Sequence, residues 1–477
     1  MPRTRPTSLF VLAKCLLLLI VLAIGGSVAC SGRLAGSAGI GDPYFPSAGN
    51  GGYDALHYEV ALTVDPATGI VAGSTLIQSR ALQDLDSFDL DLAGLDIGSV
   101  QVDGRSAEYR RAGQELIIEC PRRLAAGDVF TAYVTYSGKP VPQQESGALA
   151  LGWQQVGGVI YTLDEPQGAA TWFPVNDHPS DKATYVFRIT VPKPYVAAAN
   201  GVLLATEARG EDQTFVWEMR QPLASYLAAV TVGDYRVEES TAPGGVTIRN
   251  YFAPDLAAKA EAAFARTPEV LAFFVGLFGP YPFDVYGVVV PDADTGAAME
   301  NQTLSLFGRD VLEKRMSDAT VGEVYLSHEL AHQWFGNSVT ISRWKDIWLN
   351  EGLATYASWL WLEHDRGPAA LLAQVEQSWS TLSGEPLPAP GDPGPGDLFG
   401  ASVYRRGALT LHALRLTVGD DTFFRILRTW ADRYRYGNVS TQDFIALAQE
   451  EAPNLPGSEL AGLFEAWLYG KQLPALP

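Results

Sequence analysis

The sequence predicts an α+β protein, with a mainly β N-terminal domain followed by a mainly helical domain. Three observations predict it. From Tyr58 to about Val237, short runs such as Tyr58–Val64 alternate apolar and polar residues, the period of a strand with one face in a core. From Ser317 onward apolar residues recur every third or fourth position, the period of a helix. At 477 residues the chain exceeds what one hydrophobic core normally serves, so two or three domains are expected.

Taken in order, residues 1–29 carry Arg3, Arg5 and Lys14 around an apolar stretch from Leu16 to Ile24, which marks a targeting segment. Ser27-Val28-Ala29 before Cys30 is similar to a bacterial lipobox. Cys30 is therefore a candidate for an N-terminal lipid holding an exported protein at the membrane of the cell envelope. The alternatives are simple cleavage after Ala29, giving a secreted protein, and an uncleaved anchor over Leu9 to Ala29. The charge of Lys14 opposes the anchor. Residues 30–52, rich in Gly, Ser and Pro, read as a tether. Residues 53–240 form the β domain, with further strands at Phe130–Tyr136, Tyr185–Val191 and Phe215–Met219. Residues 241–477 form the helical domain. It opens with an Ala-rich helix over Leu256–Phe278, a buried strand at Tyr286–Pro291 and an edge strand within Ala298–Leu306. A Pro/Gly-rich loop at Gly384–Gly400 interrupts the helices.

Composition narrows the function. With 47% hydrophobic and 18% charged residues the chain is globular. Its net charge of −20 argues against nucleic-acid partners and favours solubility. Cys15 falls in the leader and Cys30 at its end, so only Cys120 remains in the body of the chain and no internal disulfide is expected.

The chemistry is concentrated in His328-Glu329-Leu330-Ala331-His332, followed after eighteen residues by Glu351. Ser317 and Asp318 offer N-caps, and Val321, Val324, Tyr325, His328, His332 and Phe335 recur at helical spacing up to Gly336 and Asn337. Residues four apart share a helix face, so both imidazoles can grip one zinc ion while Glu329 sits beside a metal-held water. Glu351, in the first turn of a second helix signalled by Leu353, Tyr356, Ala357, Leu360 and Trp361, is the candidate third ligand. Asp346 and Asn350 are candidates for orienting the ligands. Trp344, Trp348, Trp359 and Trp361 read as core.

The text around these residues, HELAHQWFGN and WKDIWLNEG, resembles the aminopeptidase N family of zinc metallopeptidases, which includes leukotriene hydrolase. AAMEN at 297–301 is close to that family's GAMEN, WFPVNDHPSDKA at 172–183 to its FPCFDEPxxKA, and YRRG at 404–407 to its YxKG. FGPYP at 278–282 agrees as well. The resemblance runs from about Tyr53 to the C-terminus. It implies a saddle-like β-sandwich domain capping a thermolysin-like, mainly helical catalytic domain, and one Zn²⁺ per chain. Longer relatives continue into a small β domain and a helical superhelix that closes over the site, so a more open cleft, or closure borrowed from a partner, is expected here.

The same resemblance assigns roles. Glu329 is the general base and Tyr404 the phenol that stabilises the developing oxyanion. Arg406 stands where the motif has Lys and receives no catalytic role. An exopeptidase must bind a free α-ammonium and block longer extensions, and a carboxylate beside the zinc does both. Glu300 matches the family's residue for this, with Glu165 from the β domain as the second acid. Ala298, Met299 and Asn301 complete the substrate wall, and Ala297 replaces the motif's Gly. Asp177 and His178 are expected to fix the domain interface and not to bind a second metal. The expected partners are peptides with a free N-terminus, hydrolysed by an exported zinc aminopeptidase. An epoxide or ester hydrolase of the leukotriene hydrolase type is the alternative. Monomer or dimer is left open, with a monomer the default.

Overall fold

The computed structural model describes residues 34–144, 149–384 and 388–475; the leader and Cys30 lie outside the described residues. The first long strand, Tyr53–Asp65, buries Tyr58, Val60, Leu62 and Val64 and turns Glu59 and Thr63 outward, as the alternation demands. It pairs antiparallel with Ile70–Ala81 across the Asp65–Gly69 turn and parallel with Ala183–Pro192. Strand Asp212–Leu223 follows on one side, and Val129–Gly138 and Asp96–Val102 on the other, within an eight-stranded sheet. Tyr58 and Tyr185 face each other in the parallel pair, and their rings stack at 4.7 Å. A three-stranded sheet of Leu85–Asp91, Glu115–Leu124 and Tyr109–Ala112 packs Phe88 against Tyr53 and Phe130, closing the sandwich.

The last strand of the β domain's own sheets is Val230–Gly233. The next strand, Arg236–Thr241, already pairs with Thr247–Phe252 in a sheet continued by Val288–Val290, Ser305–Phe307 and the edge strand Ala298–Met299. The change of sheet therefore falls at Asp234-Tyr235, before residue 240. Helices α1 (Ala257–Phe264) and α2 (Thr267–Phe278) replace the single helix expected there. Pro268 explains the break: it lacks an N–H, crowds the residue before it, and is tolerated at the start of α2. Helix α3 (Ala319–Ala331) is capped by Asp318, whose carboxylate accepts from the backbone N–H groups of Thr320 and Val321. It ends at His332, earlier than Gly336, because Asn337 N–H donates back to the His332 carbonyl and turns the chain. Helix α4 (Trp348–Arg366) places Glu351 in its first turn. Helices α5 (Pro368–Leu382), α6 (Gly407–Val418), α7 (Asp420–Arg433), α8 (Thr441–Glu451) and α9 (Gly457–Phe464) complete the domain.

Residues 35–52 do not hang as a tether. Ser37–Ala38 pairs with Asn50–Gly51, and the loop between them reaches the helical domain. There the buried Asp42 carboxylate accepts from Trp344 N–H at 2.9 Å and lies 3.3 Å from His178 Nε2. Phe45 packs edge-on against Trp344, and Tyr44 hydroxyl bonds Asp392. Gly and Pro serve tight turns here; the segment is held by specific polar bonds that composition does not reveal. The 172–183 stretch clamps the same junction. Lys182 crosses to the catalytic domain and donates to the carbonyls of Asn337 and Ser338 and to Thr340 Oγ1 at 2.8–3.0 Å, while burial lowers its pKa to about 7. The Pro179 carbonyl accepts from Asn438. His178 reaches this junction through Asp42, whereas the Asp177 carboxylate accepts from Ala170 N–H within the β domain. Among the described residues no helix is long and apolar enough to cross a membrane.

Candidate metal centre and active site

α3 and α4 pack side by side and bring His328, His332 and Glu351 to one point. The three facing atoms form a nearly equilateral triangle. His328 Nε2 is 3.1 Å from His332 Nε2 and 3.2 Å from Glu351 Oε2, and His332 Nε2 is 3.5 Å from Glu351 Oε2. A tetrahedral zinc with bonds of about 2.0–2.1 Å has ligand–ligand edges of about 3.3–3.4 Å. The residues therefore fit one zinc ion, and Glu351 Oε2, buried without a hydrogen bond, is the orphaned atom such an ion would satisfy. His332 Nδ1 lies 3.1 Å from the Phe335 carbonyl. Donation to that oxygen makes Nδ1 the protonated nitrogen and leaves the Nε2 lone pair for the metal.

The charges point the same way. Burial alone would depress His332, but the carboxylates of Glu300 and Glu351 outweigh it and raise its pKa to about 10. Burial works against Glu351 too, yet both histidines pull its pKa down to about 2. The pocket is built to hold a cation. Glu329, on α3 beside His328, is buried and its pKa is pushed well above the ordinary value, first by burial and then by Glu300 and Glu351.

A second acidic group lies against the first. Carboxylate oxygens of Glu165, Glu300 and Glu351 fall within 4.8 Å of one another, and Oε1 of both Glu165 and Glu300 is buried without a hydrogen bond. Burial raises the pKa of both acids. Glu300 follows the edge strand Ala298–Met299, whose Cα register to Phe307 and Leu306 leaves the opposite edge unpaired among the described residues. Asn301 lies buried beside it. Sequence reasoning missed what holds this strand end. Gln333 and Asn337 side chains both donate to the Glu300 carbonyl, at 3.1 and 2.7 Å, and Gln333 Oε1 accepts from Thr303 N–H. Both belong to HELAHQWFGN, so the signal was in the motif, but nothing in spacing says that they reach across to residue 300.

Tyr404 sits on a single π-helical turn, Ser402–Arg406, that leads into α6. Its ring lies nearly parallel to His328 at 5.9 Å, and burial lifts its phenol well above 10, so it stays a neutral donor. Two glycines fix this placement. A Cβ on Gly352 would lie 3.0 Å from Gly407 Cα, and one on Gly407 would lie 3.1 Å from Gly352 Cα. The backbones behind Glu351 and Tyr404 therefore touch. Arg406 takes no part in the site: its guanidinium donates to the carbonyls of Trp467, Ala466 and Gly470 and ties down the C-terminal turn. Asp346 does not orient a ligand either; it accepts from Thr441 N–H and Oγ1 at the start of α8. Asn350 donates to Tyr226 hydroxyl, which donates to the Gly336 carbonyl close to His332. Trp344, Trp348 and Trp361 are core, whereas Trp359, mostly buried, also lines the cleft.

Two histidines and a glutamate poised around one metal position, with a buried glutamate base and a phenol donor beside them, define a single-zinc metallohydrolase. The peptidase M1 N-terminal domain matches residues 54–227 and the peptidase family M1 domain matches residues 262–467. An M1 zinc metallopeptidase from Deinococcus radiodurans has the same fold with a TM-score of 0.84 and 33% identity, over 92% of this chain and 99% of that one. The chain belongs to peptidase family M1. It is also 30% identical over 331 residues to aminopeptidase M1-A of Oryza sativa subsp. japonica, matching 66% of this chain and 37% of that protein. Against endoplasmic reticulum aminopeptidase 1 of Rattus norvegicus it is 26% identical over 433 residues, 81% of this chain and 45% of that protein. The chain spans between 35% and 57% of the length of curated relatives of this kind.

Proposed function

We propose that this chain is a zinc-dependent aminopeptidase that removes N-terminal residues from peptides. One observation carries the reading: the carboxylates of Glu165 and Glu300, each with one oxygen buried without a hydrogen bond, stand beside the metal triangle, where they can bind an α-ammonium and close the cleft to longer N-terminal extensions. A variant of the Deinococcus radiodurans enzyme was crystallised with the substrate Tyr-Ser-Ala, in keeping with this.

The substrate lies along the free edge of Ala298–Met299, as a strand added to a sheet. Zinc, when bound, polarises the scissile carbonyl and supplies a water acidic enough to lose a proton near neutral pH. Glu329 takes the proton of the attacking water and returns it to the leaving amine. Tyr404 donates its phenolic hydrogen to the carbonyl oxygen as charge develops there. Polar residues such as Gln374 and Gln377 line the cleft beyond, which suits a peptide better than an acyl chain and favours this reading over an epoxide hydrolase. Export, with lipid on Cys30, rests on the leader alone and is tested by mass spectrometry of the mature N-terminus.

The reading is tested with a panel of aminoacyl fluorogenic amides, free and N-acetylated, with and without a zinc chelator. Chelator-sensitive turnover of the free amines only is expected. Turnover of the acetylated series would remove the exopeptidase assignment.

A further inference from the structure

The edge strand Ala298–Met299 returns through a tight loop into its antiparallel partner Ser305–Phe307, and Glu300 lies in that loop. Leu304 N–H donates to the Asn301 carbonyl at 2.9 Å and closes a four-residue turn. Thr303, the third residue of the turn, has a φ of +68°, whereas Gln302 before it does not have a positive φ. That pattern is a type II turn, whose third position ordinarily holds Gly or Asn. Among the described residues Asp103 and Tyr436 are the other non-glycine residues with positive φ, and Thr303 alone of the three branches at Cβ. A branched side chain there crowds the backbone, and such strain persists only where the surroundings over-determine it.

The surroundings do so from two directions. The central peptide of the turn is held at both ends: the Gln302 carbonyl accepts from Asn200 Nδ2 at 2.7 Å, and Thr303 N–H donates to Gln333 Oε1 at 2.9 Å. Thr303 Oγ1, in addition, accepts from Gly201 N–H at 2.8 Å. Asn200 and Gly201 come from the β domain, just past strand Val196–Ala199. They are firmly seated. Asn200 is buried, donates to the Leu227 carbonyl and accepts from Ala229 N–H, and a Cβ on Gly201 would lie 2.1 Å from the Glu218 carbonyl oxygen. Gln333 follows His332 directly, and its Nε2 donates to the Glu300 carbonyl at 3.1 Å. One side chain therefore spans both ends of the loop and ties Glu300 to the end of the helix that carries both histidines. An acid that fixes the N-terminus one residue before the scissile bond must stand at a set distance from the metal position. Relaxing Thr303 flips the Gln302–Thr303 peptide, breaks its bonds to Asn200 and Gln333, and frees Glu300 from that distance.

We propose that Thr303 is a positioning residue for the aminopeptidase reaction: its strained turn, fastened to Gly201 and Gln333, sets Glu300 against the substrate ammonium. This deepens the aminopeptidase reading and rests on it. Thr303 is buried, acts through Glu300 and does no chemistry.

The test measures kcat and KM for one aminoacyl fluorogenic amide, free and N-acetylated, in the wild-type protein and in Thr303→Val, Thr303→Gly and Thr303→Ser. Each variant is also combined with Glu300→Ala. Valine keeps the branched shape without the acceptor for Gly201, glycine adopts the positive φ freely but lacks the hydroxyl, and serine keeps the hydroxyl. Thr303→Val and Thr303→Gly should each raise KM for the free amine about tenfold, with a smaller change in kcat, and lower the ratio of free to acetylated turnover. Thr303→Ser should stay close to the wild type. In the Glu300→Ala background the same substitutions should change KM by less than about twofold, because the residue they act through is gone. If Thr303→Val does not fold, Thr303→Gly carries the same comparison. Wild-type KM and discrimination in the glycine variant overturn the proposal and leave the aminopeptidase reading intact. So does a rise in KM that is equally large with and without Glu300. Turnover of the acetylated amide by the wild-type protein, or of neither amide, overturns the aminopeptidase reading itself, and this inference with it.

Discussion

Tyr404→Phe isolates one hydroxyl. That hydroxyl has no hydrogen-bond partner among the described residues, and the ring it sits on is held by stacking on His328 and by the backbone contact of Gly352 with Gly407. Phenylalanine fills the same volume, so folding stability should change by less than about 0.5 kcal/mol. The catalytic cost is different in kind. Loss of one preorganised donor to a developing oxyanion typically costs about 10²–10³ in kcat, or about 2.7–4 kcal/mol, with little change in KM because the donor acts mainly on the transition state. The pH profile gives a second constraint. Burial, with nearby Glu351 and Glu165, holds the phenol well above 10, so it is protonated throughout the assay range. Tyr404→Phe should scale the kcat profile down without moving either limb. Steady-state kinetics from pH 5.5 to 9 would measure both, with a thermal melt beside them. A drop in kcat of under about fivefold in a protein with an unchanged melt would refute the role given to Tyr404.

Three further outcomes are expected. His332→Ala should abolish stoichiometric zinc, about one per chain in the wild type, as read by elemental analysis; adding zinc should raise the melting temperature of the wild type but not of the variant. Glu300→Ala should raise KM for free-amine substrates by about ten- to a hundredfold, the cost of one charge-assisted bond, and narrow the discrimination against N-acetyl substrates; equal KM values would show that the ammonium sits elsewhere. Asp42→Ala strips the buried Trp344 N–H and His178 of their acceptor and should cost about 2–4 kcal/mol in urea unfolding. Burial alone would raise the Asp42 pKa, but hydrogen bonds from His178, Trp344, Tyr44 and Phe45 hold it below 3.8. Its stabilisation is therefore complete above that pH and lost as pH falls through the lower folded value, so the variant should show a shallower acid limb.

The sequence by itself determined much about the centre of this protein. His328 and His332 are four apart on a helix whose cap, Asp318, could be read directly, and Glu351 had its own helix start; local geometry alone delivers such ligands. Alternation likewise announced the strands around Tyr58, Phe130 and Tyr185, because each buries one face, whereas the strand around Phe215 buries Thr214, Phe215, Val216 and Trp217 in a row. What failed was whatever depended on partners distant in the chain. A Gly- and Pro-rich composition describes turns, and cannot say that Asp42 will find Trp344 and His178. Asp346 looked like a neighbour of Glu351 but serves α8 instead, and Gln333 and Asn337 passed unnoticed although they hold Glu300 in place. The facing pair Gly352 and Gly407 was equally silent until the backbones were seen in contact. Only the tertiary structure set Glu165, from the β domain, beside Glu300 and Glu351, and turned Arg406 away from the site onto backbone carbonyls. Periodicity records which face of an element is buried; the direction in which a polar side chain reaches is decided by the donor or acceptor that packing brings within hydrogen-bonding distance.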